Sequence, residues 1–312
     1  TQDYRDLQVL FNLAWTDPDW LAAPPLKALV DKGRGFTEED KAVVFAEHLR
    51  LLREVIPQHA KMQKAGQIEV TMTPYTHPIL PLIFDSNLAA IAMKTASLPT
   101  RFFWPEDAVA QVERGVALYR DHFGVAPRGM WPGEGAVAQA VAGIIADAGI
   151  RWIASDEGVL ANSLGFGSFS RNSQEVVTNA DALYRPYVVQ DGGSTLAAIF
   201  RDVQISDKVG FTYSGMSGAA AAADLMSRLR NIAGQLQTEK AAGPHLVSII
   251  LDGENAWEYY DNDGKEFLHA LYTQLSAATD IKTVTPSEYL AKYPATARID
   301  KLWAGSWINA NF

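Results

Sequence analysis

Short apolar runs alternate along this chain with longer segments of helical spacing, and this alternation constrains the fold more than any other feature. The predicted strands cover residues 7–15, 68–73, 128–131, 152–155, 245–251 and 281–284. Nearly every residue of 7–15 is apolar, which is typical of a strand buried on both faces. Strands that alternate with helices are usually parallel and joined by right-handed crossovers. The sequence therefore predicts an α/β fold with a parallel barrel.

Other segments complete the predicted organisation. Residues 184–190 and 195–200 predict a β-hairpin around a turn that contains two glycines. Residues 158–183 lack periodicity and predict an extended excursion at the barrel rim, for which the role of a lid is one interpretation. We predict a single domain over 1–312, with a short tail at 291–312.

Charge and composition exclude several kinds of partner. The chain carries a net charge of −9, whereas a nucleic acid or an anionic membrane surface would require a basic face. No apolar run is long enough to cross a membrane. Because the chain contains no Cys, disulfides and thiolate metal sites are excluded. We expect a cytoplasmic location, and secretion remains an open alternative.

The histidines give little support for a metal site. They are His48, His59, His77, His122, His245 and His269. No two of them have the i, i+3 or i, i+4 spacing that is typical of a pair of metal ligands on a helix. A metal held by Asp156, Asp202 and Asp252 is the alternative. The prediction is a site that uses neither a metal nor another cofactor.

Polar or charged residues follow the ends of five predicted strands. They are His77, Glu134, Asp156 with Glu157, Arg201 with Asp202, and Asp252 with Glu254. In a parallel barrel the carboxyl ends of all strands meet at one rim, so these residues should face one pocket. Two carboxylates across such a pocket can divide the work of glycoside hydrolysis between a nucleophile and an acid. Trp131 and two glycines beside Glu134 also favour a sugar site.

Three stretches carry a resemblance to a known family. They are Gly66-Gln67-Ile68-Glu69-Val70 running to Thr76-His77-Pro78-Ile79-Leu80-Pro81, then Met130-Trp131-Pro132-Gly133-Glu134, then Leu251-Asp252-Gly253-Glu254-Asn255-Ala256-Trp257. In order and spacing they resemble three conserved regions of glycoside hydrolase family 57. That family comprises α-glucan-active amylases, amylopullulanases, 4-α-glucanotransferases and branching enzymes. The resemblance implies a distorted (β/α)7 barrel as the catalytic domain and a retaining mechanism.

The resemblance also implies roles for individual residues. It implies that Glu134 is the nucleophile and that Asp252 is the general acid and base. His77 matches a sugar-contacting position of the family, and Glu254 matches the third position of an Asp-x-Glu motif. These four residues are the centre of the predicted site.

Further residues are predicted to contact the substrate. Trp131 and Trp257 are similar to aromatic positions that line the family's cleft. Asp156, Arg201 and Asp202 are predicted to bind substrate as well, and a structural ion-pair cluster is the alternative interpretation for each of them. Other tryptophans are predicted to pack inside the fold: Trp15, Trp20, Trp152, Trp303 and Trp307.

The chain looks most like the amylopullulanase-type members, which predicts hydrolysis of α-1,4 or α-1,6 bonds in an α-glucan. Transfer by a 4-α-glucanotransferase or a branching enzyme is the alternative on the same site. Two alternatives belong to other classes: a non-catalytic α-glucan-binding module and a metal-dependent carbohydrate deacetylase.

One departure from the family pattern affects the predicted barrel. The family's first region, a His-Gln-Pro at the end of strand one, is absent, so the chain is predicted to begin at the second strand. An incomplete barrel exposes two strand edges. A missing N-terminal segment or a second chain is therefore predicted to complete it.

Overall fold

The fold is α/β, and it is described by a computed structural model for residues 1–253, 256–308 and 310–312. The α-helices are α1 (Gln2–Ala14), α2 (Pro18–Leu21), α3 (Leu26–Lys32), α4 (Glu38–Lys64), α5 (Leu80–Phe84), α6 (Ala89–Ala92), α7 (Pro105–Phe123), α8 (Gln139–Asp147), α9 (Glu157–Ser163), α10 (Ala180–Leu183), α11 (Val203–Asp207), α12 (Gly218–Thr238), α13 (Lys265–Ala277) and α14 (Pro286–Lys292). The strands are β1 (Gly129–Met130), β2 (Trp152–Asp156), β3 (Tyr187–Asp191), β4 (Ser194–Arg201) and β5 (Ala297–Ile299).

The strands form one sheet in the order β1-β2-β4-β3-β5. β1, β2 and β4 are mutually parallel, so the ends of β2 and β4 are paired residue by residue and Asp156 lies opposite Arg201. β3 and β4 form the predicted hairpin, in which Asp191 pairs with Ser194 across the two-glycine turn. The prediction of an α/β fold built on parallel strands is confirmed.

Several predicted strands are extended segments rather than regular strands. The segment 68–73 contacts β1 through an isolated parallel bridge between Met72 and Met130. The segment 245–251 lies beside the end of β4, where the Asp202 N–H donates to the carbonyl of Ser248 at 3.1 Å. Residues 281–284 are also irregular. The strand predictions for these segments are wrong because the apolar runs are present without a continuous ladder of backbone hydrogen bonds.

The apolar run 7–15 is also not a strand, because it forms most of the helix α1. Its buried residues are Val9 and Leu13, four positions apart on one helix face. Leu7, Phe11 and Trp15 are apolar too, but they lie exposed on the opposite face. Apolar residues on both faces hide the helical period, and this is why the sequence predicted a buried strand.

Two separate hydrophobic clusters hold these elements together. The larger one surrounds the sheet and includes buried residues of α7, α8, α12 and α13. The smaller one is formed by α1, α3 and α4 around Phe36 and Val44. Lys265, at the start of α13, joins the two regions through ion pairs to Asp17 at 3.0 Å and Asp19 at 2.7 Å.

Helix boundaries follow local chemistry. The helix α4 begins after Thr37, whose hydroxyl accepts from the Asp40 N–H while the Asp40 carboxylate accepts from the Thr37 N–H. The helix α7 ends at Gly124, which adopts the left-handed conformation that glycine tolerates. The cap at Gly124 therefore fixes where α7 ends before the chain enters β1.

The segment 158–183 is more regular than predicted. It contains the rest of α9 and all of α10, and Val176 and Val177 are buried in the larger cluster. Arg171 attaches its middle part to Glu157 at 2.5 Å. The segment therefore contains regular helices, and its role as an excursion at the rim stays a prediction. None of the described helices is long and apolar enough to cross a membrane.

Candidate active site

A cavity of about 530 Å³ lies between the sheet and the extended segments, and we call it the central cavity. Trp152, Ala154 and Ile199 line it from β2 and β4, and residues 246–253, Val284 and Pro286 line it as well. Its polar and aromatic lining consists of His77, Trp131, Asp252 and Trp307, with Ser248 and Thr71. The structure thus brings predicted site residues from three separate stretches to one cavity.

Glu134 is held at this cavity by two side chains that line it. The Trp307 indole N–H donates to Glu134 Oε2 at 2.8 Å, and His77 Nε2 lies 3.1 Å from Oε1. The Trp307 backbone N–H also donates to the Glu134 carbonyl at 3.1 Å. His77 Nδ1 is 3.2 Å from the Thr73 hydroxyl, which fits the tautomer that carries its proton on Nε2. Both carboxylate oxygens of Glu134 are therefore oriented.

The loop that carries Glu134 is tightly constrained. Glu134 and His77 both have φ of 56°, an uncommon conformation for residues other than glycine. A Cβ at Gly133 would lie 2.4 Å from the Pro78 carbonyl oxygen, and one at Gly135 would lie 2.7 Å from the Trp131 ring. The glycines were predicted to make room for a ligand. They instead let the loop pack against the protein itself.

The charge on Glu134 is stabilised by its neighbours. Donation from Trp307 lowers the pKa of Glu134, burial opposes this effect, and His77 lowers the pKa further. The lowered pKa favours the ionised carboxylate, which is the state that a carboxylate nucleophile requires.

Trp307 is the site residue that sequence reasoning missed. It was predicted to pack inside the fold, yet it contacts Glu134 and its ring lies 5.1 Å from that of Trp131, at 67°. Its tail segment carries no recognisable motif, and it lies 173 positions from Glu134. Its proximity to Glu134 could have been inferred only from the fold.

A second cavity of about 610 Å³ shares Asp252, Leu251 and Trp307 with the first, and we call it the lateral cavity. Asp156 and Arg201 line it from the paired ends of β2 and β4. Arg201 Nε is 3.6 Å from Asp156 Oδ2, and the guanidinium lies 5.2 Å from the Trp307 ring. Burial raises the pKa of Asp156 to about 6.

Asp202 lies apart from both cavities. Its buried carboxylate accepts from the Tyr184 hydroxyl at 2.5 Å, from Arg171 and from the Ile205 N–H at the start of α11. Among the residues that line the two cavities in the described chain, Asp202 is absent. Its contacts fit the alternative interpretation of a structural ion-pair cluster.

The other predicted residues are distributed unevenly. Asp252 lines both cavities and so lies between them. Trp257 packs against Gly264 and lies 5.4 Å from the Tyr260 ring, within the larger hydrophobic cluster. It is absent from the described lining of either cavity. Glu254 lies outside the described residues.

The sequence left open a metal ion held by Asp156, Asp202 and Asp252. Among the described residues, no three His, Asp or Glu side chains cluster in a way that could hold one. Asp156 and Asp252 line the same cavity, whereas Asp202 is held by Tyr184 and Arg171. The site therefore offers two carboxylates, Glu134 and Asp252, beside one cavity that one imidazole and three indoles line.

Comparisons with known proteins bear on this arrangement. The family model described as Glycosyl hydrolase family 57 matches residues 2–301. No curated protein matches the chain. The α-amylase AmyC from Thermotoga maritima has a similar structure, with a TM-score of 0.63, 16% identity, and coverage of 98% of this chain and 64% of that one.

Two other solved structures are similar. A GH57-type branching enzyme from Pyrococcus horikoshii gives a TM-score of 0.63 at 17% identity and covers 98% of this chain and 59% of its own. A 4-alpha-glucanotransferase from Thermococcus litoralis gives a TM-score of 0.54 at 18% identity. The match covers 85% of this chain and 34% of that one. The chain spans about three fifths of the length of the first two structures. At these identities the likeness shows a shared fold.

Proposed function

The chain belongs to glycosyl hydrolase family 57, and we propose that it cleaves α-glucosidic bonds by a retaining mechanism. In this proposal Glu134 is the nucleophile and Asp252 is the general acid and base. The observation that carries it is the Glu134 carboxylate, held by Trp307 and His77 at the edge of the cavity that Asp252 also lines.

The first step forms a glucosyl-enzyme. Glu134 attacks the anomeric carbon while Asp252 donates its proton to the leaving glycosidic oxygen. Trp307 and His77 hold the attacking carboxylate in one rotamer, so little reorganisation is needed before attack. Donation from Trp307 lowers the pKa of Glu134, which favours the ionised form that attacks.

The second step releases the sugar. Asp252, now a carboxylate, takes a proton from water as the water oxygen attacks the anomeric carbon and the bond to Glu134 breaks. Trp131 lines the central cavity next to Trp307 and offers an apolar face for a sugar ring. We propose that the enzyme is of the amylopullulanase type and that its substrates are α-glucans with α-1,4 or α-1,6 bonds.

The proposal is tested by product analysis with a matched control. Maltoheptaose carries α-1,4 bonds, and pullulan adds α-1,6 bonds, so their products separate the two specificities. We expect Glu134→Gln to lose at least about 10³-fold in kcat, because the nucleophile is removed while its shape is kept. The control is Glu113→Gln on the exposed face of α7, which should retain activity. Equal turnover by the two variants would contradict the assignment.

A second experiment tests the retaining mechanism directly. A 5-fluoro-α-glucosyl fluoride forms a glucosyl-enzyme that hydrolyses slowly, so mass spectrometry can locate the modified residue. The expected result is one adduct on the peptide that contains Glu134, absent from Glu134→Gln. An adduct on another carboxylate would reassign the nucleophile.

A further inference from the structure

We propose that Arg201 is a positioning residue for the nucleophile: it holds the ring of Trp307 and, through that ring, the carboxylate of Glu134. This role rests on the proposed function, because it concerns the attack by Glu134. The sequence left two interpretations of Arg201 open, a substrate contact and a structural ion pair. The contacts around its guanidinium support a third, in which Arg201 acts on catalysis through Trp307.

Arg201 has a fixed place in the sheet. It is the last residue of β4 and pairs with Asp156 at the end of β2. Its buried guanidinium bonds to the Asp207 carboxylate at 2.5 Å. Arg201 Nε lies 3.6 Å from Asp156 Oδ2, which is an ion pair at longer range than a hydrogen bond. A regular strand and two opposite charges therefore hold the guanidinium in one position.

Trp307, in contrast, lies in an irregular tail. In the described residues 300–308 and 310–312, the backbone forms isolated bridges but no helix or strand. One bridge joins Gly305 to Val137, with N to O distances of 2.9 and 3.0 Å. The Trp307 backbone N–H donates to the Glu134 carbonyl at 3.1 Å. These bonds fix the backbone of the tail, whereas the direction of the indole ring depends on the side chains that contact it.

Arg201 and Trp131 both contact the indole ring of Trp307. The Arg201 guanidinium lies 5.2 Å from the ring centroid, where a cation is attracted to the π-system, and burial strengthens this attraction. The Trp131 ring makes a T-shaped contact at 5.1 Å and 67°. The ring held in this way donates its N–H to Glu134 Oε2 at 2.8 Å. Arg201 therefore belongs to the set of contacts that directs the donor towards the nucleophile.

Loss of this contact should change both the charge and the orientation of the Glu134 carboxylate. Donation from Trp307 is the largest cause of the lowered pKa of this group. A ring that turns more freely donates less well, so the pKa of Glu134 should rise and its attacking oxygen should sample more directions. Because Arg201 acts through Trp307, its loss should not lower kcat more than the loss of the indole donor itself.

The other two interpretations of Arg201 predict different results. A substrate contact predicts a higher KM, and the change should have the same size whether or not the indole of Trp307 is present. A structural ion pair predicts a less stable protein whose folded molecules retain the native kcat. A positioning role predicts a lower kcat, and it predicts that the loss depends on the indole of Trp307.

The first test is Arg201→Lys, which keeps a positive charge beside Asp207 and loses the planar group that stacks on an aromatic ring. With maltoheptaose, kcat should fall about tenfold while KM stays within about twofold of the native value. The acid limb of the kcat/KM profile should move to higher pH. The titratable neighbours His77, Asp156 and Asp207 are kept in this variant, so a shift of that limb reports on Glu134.

The coupling between Arg201 and Trp307 gives the sharpest readout. In the Trp307→Phe protein the indole donor is absent, so adding Arg201→Lys should change kcat by less than about twofold. An equal loss of kcat in both backgrounds, or a rise in KM in place of the fall in kcat, would refute the positioning role. Either result would leave the glycosidase proposal intact.

Arg50→Lys is the matched control, because Arg50 makes the same kinds of contact on α4. It lies 2.9 Å from Glu47 and 2.8 Å from Glu54, and its guanidinium is 4.7 Å from the Trp20 ring. Arg50 is absent from the described lining of both cavities. Its kcat and acid limb should match those of the native protein. A loss as large as that of Arg201→Lys would refute a role that depends on the site.

Asp207→Asn covers the case in which Arg201→Lys does not fold. The Asp207 side chain is 48% exposed and forms the shorter of the two ion pairs of Arg201, so the substitution loosens the guanidinium while Asp156 still balances its charge. The kcat should fall in the same direction by a smaller factor, and only while the indole of Trp307 is present. A folded Asp207→Asn protein with the native kcat would refute the positioning role.

A measurement without turnover separates this role from the proposed function. In protein that carries ¹⁵N-labelled tryptophan, Trp307→Phe identifies the indole N–H signal of Trp307. That signal should move with pH as Glu134 titrates, and Glu134→Gln should abolish the movement. In Arg201→Lys the signal should shift towards that of a solvent-exposed indole and titrate at higher pH, while the Trp303 signal stays in place.

The two possible failures give different results. An unmoved Trp307 signal in the Arg201→Lys protein would refute the positioning role, whatever the activity of that protein. Full turnover by Glu134→Gln would instead refute the proposed function, and the Trp307 signal would still report whether Arg201 holds the ring.

Discussion

Each of the two cavities has a carboxylate near the end of a parallel strand: Glu134 at the central cavity and Asp156 at the lateral cavity. Their surroundings shift the two pKa values in opposite directions. Glu134, after β1, receives donors on both oxygens and its pKa is lowered, first by Trp307. Asp156, the last residue of β2, accepts from the Gly158 N–H on one oxygen, and burial raises its pKa to about 6. Both residues lie near a strand end, so the difference between their pKa values comes from the groups that surround each carboxylate.

This difference indicates different uses for the two groups. A carboxylate that attacks carbon must be ionised, and the contacts of Glu134 favour that state. Asp156 remains short of hydrogen bonds inside the protein, which costs stability. A perturbed, under-bonded acid in a cavity is characteristic of functional sites. The comparison predicts that removing the charge at Asp156 helps folding, whereas disturbing the contacts of Glu134 harms catalysis.

The largest expected effect concerns Asp156→Asn. A raised pKa means that the folded protein holds a proton that the unfolded chain has released. The native carboxylate therefore loses stability as the pH rises from about 4 to above 6. Asn keeps the shape of the side chain without its charge. The free energy of unfolding of the variant should therefore exceed that of the native protein by as much as roughly 3 kcal/mol at pH 7.5.

Urea unfolding at several pH values measures this gain. The difference between the two proteins should shrink as the pH falls from about 6 towards 3.8, and below that ordinary value Asp156 is protonated in both the folded and the unfolded states. Asp121→Asn on the exposed surface of α7 serves as the control. A gain that is constant with pH would show that packing, and not ionisation, separates the two proteins.

The next effect concerns Trp307→Phe, which removes the N–H donor to Glu134 and retains an aromatic ring. A hydrogen bond to a charged group contributes about 1.5–3 kcal/mol, so kcat/KM should fall about 10- to 100-fold. Since Trp307 is the leading cause of the lowered pKa of Glu134, that pKa should rise in the variant. The acid limb of the kcat/KM profile should then move to higher pH.

Trp303→Phe is a suitable control because its indole N–H donates to the Ala310 carbonyl at 3.1 Å and not to Glu134. It removes the same kind of donor from the same tail. Its acid limb should coincide with that of the native protein. A shift of equal size in both variants would assign the effect to the fold of the tail.

The tryptophans show how far the sequence could predict this site. Trp257 follows the Asp252 motif directly and was expected at the cleft, yet it packs against Gly264 and Tyr260. Trp307 was expected in the core, yet it holds Glu134. A residue next to a motif is close to it in sequence, but the local backbone conformation decides whether its side chain faces the same cavity. Contacts across 173 positions are set by tertiary packing.

The strand ends have a physical basis that the sequence does show. Parallel register aligns the ends of neighbouring strands, so Asp156 and Arg201 were expected to face one pocket, and they lie opposite each other at the ends of β2 and β4. Register says nothing about what surrounds them, and Asp202, one residue beyond Arg201, turns to cap α11. Segments such as 245–251 have the composition of strands but lack a paired edge along their length. Composition alone could not reveal this.

The smallest expected effect tests the second contact of Glu134. His77 and Glu134 are both partly exposed, and exposed ion pairs or hydrogen bonds contribute up to about 1 kcal/mol. His77→Gln keeps a polar side chain and should lower kcat/KM by about fivefold or less, well below the effect of Trp307→Phe. His122→Gln on α7 is the exposed control and should leave the rate unchanged. If His77→Gln proves as harmful as Trp307→Phe, then His77 does more than orient the carboxylate, and direct contact with the substrate becomes its assigned role.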